Sequence, residues 1–139
     1  MSEDKLATGR CLCGSVRYQC EGNLGPAHYC HCEDCRRCTG SAFNTAVRVE
    51  ARNFHIISGN PKGFSKHGDS GNPLTRYFCP ECGSPVYTVS PVHPDVLYVK
   101  AGTFDDPRLI RPSRQFWMQS MVPWATIDLE LQGFPKGLT

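Results

Sequence analysis

No run of about 18 apolar residues occurs anywhere in the chain, so no segment reads as a membrane-spanning helix. The opening "MSEDKLATGRCLCG" holds no apolar core of signal-peptide length, and the expectation is an intracellular, cytoplasmic protein with no membrane partner. Basic residues never gather into a run of about five. A formal net charge of +2 and a pI near 8.1 are too mild to recruit nucleic acid through its phosphates, which argues against that class of partner. Long helical periodicity is missing as well. With 13 Gly and 11 Pro among 139 residues, the composition favours turns and short strands. A chain of this length fits one domain, taken as residues 1–139.

What is present fits that frame. "GSVRYQC" alternates as a strand, and so, more loosely, do "TAVRVEARNFHII", "TRYFC", "SPVYTV", "VLYVKAGTF" and "TIDLELQGF". Turn clusters such as "SGNPKG", "HGDSGNP" and "FDDPR" separate them. The expected class is therefore all-β, with short helical turns.

Nine cysteines dominate the chemistry. In a reducing compartment they read as metal ligands rather than disulfides. Two segments echo each other: "CLCGSVRY" and "CPECGSPVY" each carry a close cysteine pair, then Gly-Ser, then a strand with Val and Tyr. Together Cys11, Cys13, Cys79 and Cys82 supply four thiolates, the number a tetrahedral structural zinc site needs. Closing the long loop between the pairs costs about 4 kcal/mol of chain entropy, whereas structural zinc contributes roughly 10–16 kcal/mol. Distance along the chain is thus no obstacle. Cys20, at the end of an alternating run, reads as a packed strand residue.

The segment "YCHCEDCRRCTGSAF" is less decided. Glu33 and Asp34 suit the first turn of a short helix, Arg36 and Arg37 its last turn, and Gly40 its stop. Cys30, Cys32, Cys35 and Cys38 could close a metal site, or three of them could hold an ion with one position open. Zinc with three thiolates can still accept an incoming thiol, while four thiolates leave no vacancy. Cys38 lies three residues after Cys35, on the same helical face, so it could ligate or turn into the core. Arg36 and Arg37 would favour the thiolate forms and, if not simply solvated, could grip a substrate carboxylate with their planar forks. His31, between two candidate ligands, is read as outside the ligand set, and His28, His55, His67 and His93 lack ligand spacing. Phe116, Trp117 and Trp124 read as core or pocket wall.

In "GRCLCGSVRY", "CHCEDCRRCTGSAF", "RYFCPECGSPVY", "AGTFDDP" and the late "PW", the chain resembles the glutathione-dependent formaldehyde-activating enzyme family, which also includes centromere protein V. The resemblance runs from about residue 9 to 135. It implies a β-tent fold of antiparallel sheets with two zinc ions per chain. Cys11, Cys13, Cys79 and Cys82 would hold the structural ion, and Cys30, Cys32 and Cys35 a catalytic ion with an open position. The implied activity is carbon–sulfur bond chemistry, the reversible joining of glutathione and formaldehyde into S-hydroxymethylglutathione. Coordination to zinc deprotonates a thiol that is otherwise mostly protonated at neutral pH. Cys38 departs from the family's pattern and is the residue that could close the second site.

The leading expectation is a zinc-dependent carbon–sulfur lyase acting on a small thiol adduct. A non-catalytic zinc module that binds a protein or nucleic acid is the alternative, disfavoured by the dispersed, nearly balanced charge. A redox switch between Cys35 and Cys38 stands third, because the flanking cysteines look like ligands.

Overall fold

The computed structural model describes residues 5–68, 71–125, 131–132 and 134–136. Three strands, β1 (Leu6–Arg10), β2 (Arg17–Glu21) and β5 (Phe54–Ser58), form a small sheet in the order β1-β2-β5. Seven others build the large sheet. They are β3 (Ala27–Cys30), β4 (Asn44–Glu50), β6 (Lys62–His67), β7 (Pro73–Phe78), β8 (Pro85–Val89), β9 (Val96–Lys100) and β10 (Pro112–Phe116). Their order is β10-β3-β4-β9-β8-β7-β6. The one α-helix among the described residues, α1 (Glu33–Thr39), follows β3 directly.

The fold is mostly β, as expected, but one pairing departs from the antiparallel rule. β10 runs parallel to β3, with Phe116 beside Cys30. A parallel neighbour needs a long return connection, and residues 101–111 supply it through two 3-10 turns, Ala101–Thr103 and Pro107–Leu109. The run expected over 45–57 divides into β4 and β5 around a 3-10 turn at Ala51–Asn53. "VLYVKAGTF" stops as a strand at Lys100. Strands β1, β3, β6 and β10 were not among the expected ones; β6 is exposed along its whole length and so carries no alternating pattern to detect. The strand expected over 126–134 falls largely outside the described residues.

Alternation along each strand decides what the two faces of the large sheet do. Val47 pairs with Val99, and Val99 with Tyr87, so these three share a face. That face packs on the small sheet and closes one core with Val16, Tyr18, Cys20 and Phe104. Tyr18 anchors it, with ring centroids 5.2 Å from Phe54 and 5.6 Å from Phe104, and its hydroxyl 2.7 Å from the Thr103 hydroxyl. Gly9 lies opposite Tyr18 in the register because a β-carbon there would sit 2.2 Å from the phenol. The intervening residues point the other way. His28 pairs with Ala46, and Ala46 with Lys100, which sets Cys30, Asn44, Tyr98 and Lys100 on the face away from the core.

Candidate metal centres and cavity

The two cysteine knuckles have the same local build. In the first, the Cys11 N–H donates to Val16 O at 3.0 Å, the Val16 N–H donates to Cys11 Sγ at 3.3 Å, and Gly14 takes φ 83. In the second, the Cys79 N–H donates to Ser84 O at 2.9 Å, the Cys82 N–H donates to Cys79 Sγ at 3.5 Å, and Gly83 takes φ 79. Left-handed backbone at the glycine reverses the chain after each cysteine pair, a conformation glycine adopts without steric cost. The knuckles also lean on each other, since Leu12 N–H donates to Ser84 Oγ at 3.1 Å and Ser15 Oγ lies 3.1 Å from Cys79 Sγ.

All four sulfurs, of Cys11, Cys13, Cys79 and Cys82, lie within 4.8 Å of one another. Thiolates at ~2.3 Å around a tetrahedral ion stand about 3.8 Å apart. The Cys11–Cys13 and Cys13–Cys79 separations are 3.6 and 3.8 Å, so the donor set fits such an ion. Two of the thiols are drawn toward ionisation, while Cys13, despite its Ser15 hydrogen bonds, is held up by burial and by the Cys11 and Cys82 thiols. A hydrogen bond with Ser84 is the largest effect drawing Cys82 down to about 5. Burial opposes ionisation of Cys11, yet the Val16 N–H and the Cys13 and Cys79 thiols bring it to about 7.

Cys30, Cys32 and Cys35 form the second group, their sulfurs again within 4.8 Å of one another. Cys30 ends β3, Cys32 caps α1 by accepting the Cys35 N–H at 3.3 Å, and Cys35 faces inward from the first turn. The helix has the expected form, with Glu33 and Asp34 at its start and Gly40 at φ 64 at its end. The Cys35 hydrogen bond pulls the Cys30 thiol below its ordinary range, and the same bond, with burial, pushes Cys35 up. Burial also raises the Cys32 thiol, so within the trio only Cys30 is drawn toward the thiolate.

Cys38 stands outside the trio. Its side chain is exposed, and its S–H points back to the Cys35 carbonyl at 3.5 Å. Arg36 and Arg37 lie on the helix surface, 3.9 and 3.5 Å from the Glu33 carboxylate. His31 is outside the ligand group and buried: its Nε2 pairs with Gln115 Oε1 at 2.9 Å and its backbone N–H donates to Phe116 O at 3.0 Å, which ties β10 to the end of β3.

Beside the trio, the face of the large sheet turned from the core carries a cavity of about 270 Å³ with Cys30 and Cys35 in its wall. Neither Arg36 nor Arg37 lines it; Arg76 and Lys100 do. Lys100 is only 8% exposed and donates from Nζ to Asn44 Oδ1 at 2.6 Å. Burial draws its pKa down, while nearby Cys38, Cys35 and Cys30 oppose that. His28 sits with its ring 5.7 Å from Tyr98 and 4.9 Å from Phe116; burial, then repulsion from Arg114 and Lys100, lowers its pKa and favours the neutral form. Phe116 and Trp117, themselves partly exposed, complete the wall, whereas Trp124 lies outside it and is more exposed still. Trp117 is the only non-glycine residue at positive φ among the described residues, at φ 60. Such strain in a bulky residue clusters at functional sites.

Lys100, Arg76, Asn44 and His28 escaped the reading of sequence. The available signal was Lys100 itself, a charge at the end of the apolar strand "VLYVK". A larger hollow of about 560 Å³, lined by Arg48, Glu50, Arg52 and Asp95 among others, holds no cysteine.

Fold and site define the class: a mostly β protein with two thiol clusters able to hold metal. The family model for glutathione-dependent formaldehyde-activating enzyme matches residues 6–120, and the chain belongs to that family. Membership makes enzymatic activity of a glutathione-related kind the general reading. A crystal structure of a Rhodobacter sphaeroides protein, 20% identical, aligns with a TM-score of 0.59 over 78% of this chain and 98% of its own. That likeness bears on the fold. No curated protein matches the chain significantly. No helix among the described residues is long and apolar enough to cross a membrane.

Proposed function

We propose that the chain is a cytoplasmic, single-domain, β-tent-like carbon–sulfur lyase that depends on two zinc ions and acts on a small thiol adduct of the S-hydroxymethylglutathione type. The observation that carries this reading is a group of three thiols, two of which, Cys30 and Cys35, lie in the cavity wall, while Cys38 stands outside the group. Cys11, Cys13, Cys79 and Cys82 would hold the structural ion, and Cys30, Cys32 and Cys35 the second. A zinc ion held by three thiolates would supply Lewis-acid chemistry that favours the thiolate form of an entering thiol.

The chain's own groups supply the rest. Asn44 fixes the Lys100 ammonium beside the trio, where it offsets negative charge gathered at sulfur. Neutral His28 offers a hydrogen-bonding ring nitrogen without adding positive charge. Phe116 and Trp117 give the cavity an apolar side, beside which electrostatic contacts are stronger than in open water. Holding thiol and aldehyde together replaces a bimolecular encounter with a positioned one.

The test is exchange spectroscopy of glutathione and formaldehyde. Wild-type protein should accelerate formation and breakdown of the adduct above the spontaneous rate, and Cys32→Ser should lose at least about a hundredfold of that acceleration with its folded spectrum retained. Equal rates for variant and wild type would contradict the reading.

A further inference from the structure

We infer that Arg76 and Lys100 form an anion-recognising pair that selects thiols carrying a carboxylate. The inference rests on the thiol reading above and assigns it specificity residues. Its starting point is a charge imbalance: the cavity wall contains Arg76 and Lys100 and, among the described residues, no aspartate or glutamate. Lys100 is buried, with Asn44 Oδ1, a neutral acceptor, as its side-chain hydrogen-bond partner. Arg76 is half-buried and makes no ion pair among the described residues; the interaction that marks it is repulsion of Lys100. Buried cations are normally paired. A divalent ion with three thiolates would carry one net negative charge and an entering thiolate would add a second, but both sit at the Cys30–Cys35 end of the cavity. Arg76, on the far side of Lys100, faces the part of the ligand remote from sulfur.

The register gives this charge a place. Arg76 pairs with Thr88, and Thr88 with Tyr98, so all three share the cavity face with Lys100. β3, which ends in Cys30, lies two strands from β9 and four from β7. At ~4.8 Å per strand, Lys100 arises about 10 Å from the β3 backbone and Arg76 about 10 Å further on. A ligand whose sulfur enters the trio therefore extends past Lys100 toward Arg76. A guanidinium there presents the planar fork that carboxylates accept in pairs. The carboxylate-binding role expected of Arg36 and Arg37 falls, by this geometry, to cations on the cavity side.

Calorimetry on the zinc-loaded protein tests the pair with three probes: glutathione, glutathione diethyl ester, which keeps the thiol but loses both carboxylates, and γ-glutamyl-alanyl-glycine, which keeps the carboxylates but lacks the thiol. Emission from Trp117 in a Trp124→Phe background gives a second readout at the cavity wall. Glutathione should bind at least about tenfold tighter than its ester, and the acid-to-ester ratio should fall to near one in Arg76→Gln, with Arg76→Lys partly restoring it. Lys100→Gln should lower the ratio too, while Arg76, being half-exposed, permits a variant that folds. An ester that binds as tightly as the acid, or a ratio unchanged in Arg76→Gln, would overturn the inference. Failure of the thiol reading looks different: glutathione and the thiol-free tripeptide would bind equally well, with the ester ratio still intact.

Discussion

Cys20 shows how one residue type serves opposite ends in this chain. Fully buried in β2 among apolar neighbours, it has its pKa pushed up to about 12 by desolvation. An unfolded thiol titrates near 8.5, so the folded state keeps its proton to higher pH and unfolding releases one above that value. Stability then falls as pH rises from about 8.5 toward 12. Denaturant titrations should show wild type losing roughly 2–3 kcal/mol more than Cys20→Val between pH 8.5 and 10.5; equal losses would show that Cys20 does not titrate as described. Gly9 gives a second prediction at this scale. A methyl group there meets the Tyr18 phenol at 2.2 Å and the Thr103 carbonyl at 2.6 Å, so Gly9→Ala should cost at least about 2 kcal/mol in chemical denaturation. A neutral result would mean that the two sheets are more pliant than their packing indicates.

Among elements, the knuckles and the large sheet divide the work. Each knuckle aims a backbone amide at sulfur and carries a left-handed glycine, and the two interlock through Ser15 and Ser84. They join the start of β2 to the start of β8, and so the small sheet to the large one. Losing one ligand should undo both. Cys79→Ser is expected to lower the thermal midpoint by more than 10 °C, since the fold loses much of a contribution of order 10 kcal/mol, and to release one zinc per chain. A variant that keeps its midpoint would show that the sheets hold without the knuckles. Local devices of this kind were legible from sequence because their residues are neighbours: the knuckles, the acidic start of α1 and its glycine stop all follow from spacing within a few positions. β10 was not legible. Its parallel place beside β3 depends on the return through residues 101–111 and on the His31–Gln115 contact.

Across the whole molecule, the two faces of the seven-stranded sheet separate stability from chemistry. Val47, Val99 and Tyr87 face the core, while Cys30, Asn44, Lys100 and Arg76 face the cavity. Sequence identified the cysteines, whose chemistry is specific to their side chain, but missed Lys100 and Arg76, because a cation on a strand gains meaning only from what the register sets beside it. Cys38 is the clearest case. Helical spacing alone allowed it to ligate, and its S–H instead bonds to the Cys35 carbonyl, outside the trio. The account stands on that orientation, because three ligands leave a position for substrate and four do not. Zinc per chain in Cys38→Ala, measured beside wild type, tests it most directly. The account predicts two zinc ions in both proteins; a fall to one in Cys38→Ala would make Cys38 a ligand and contradict the open site.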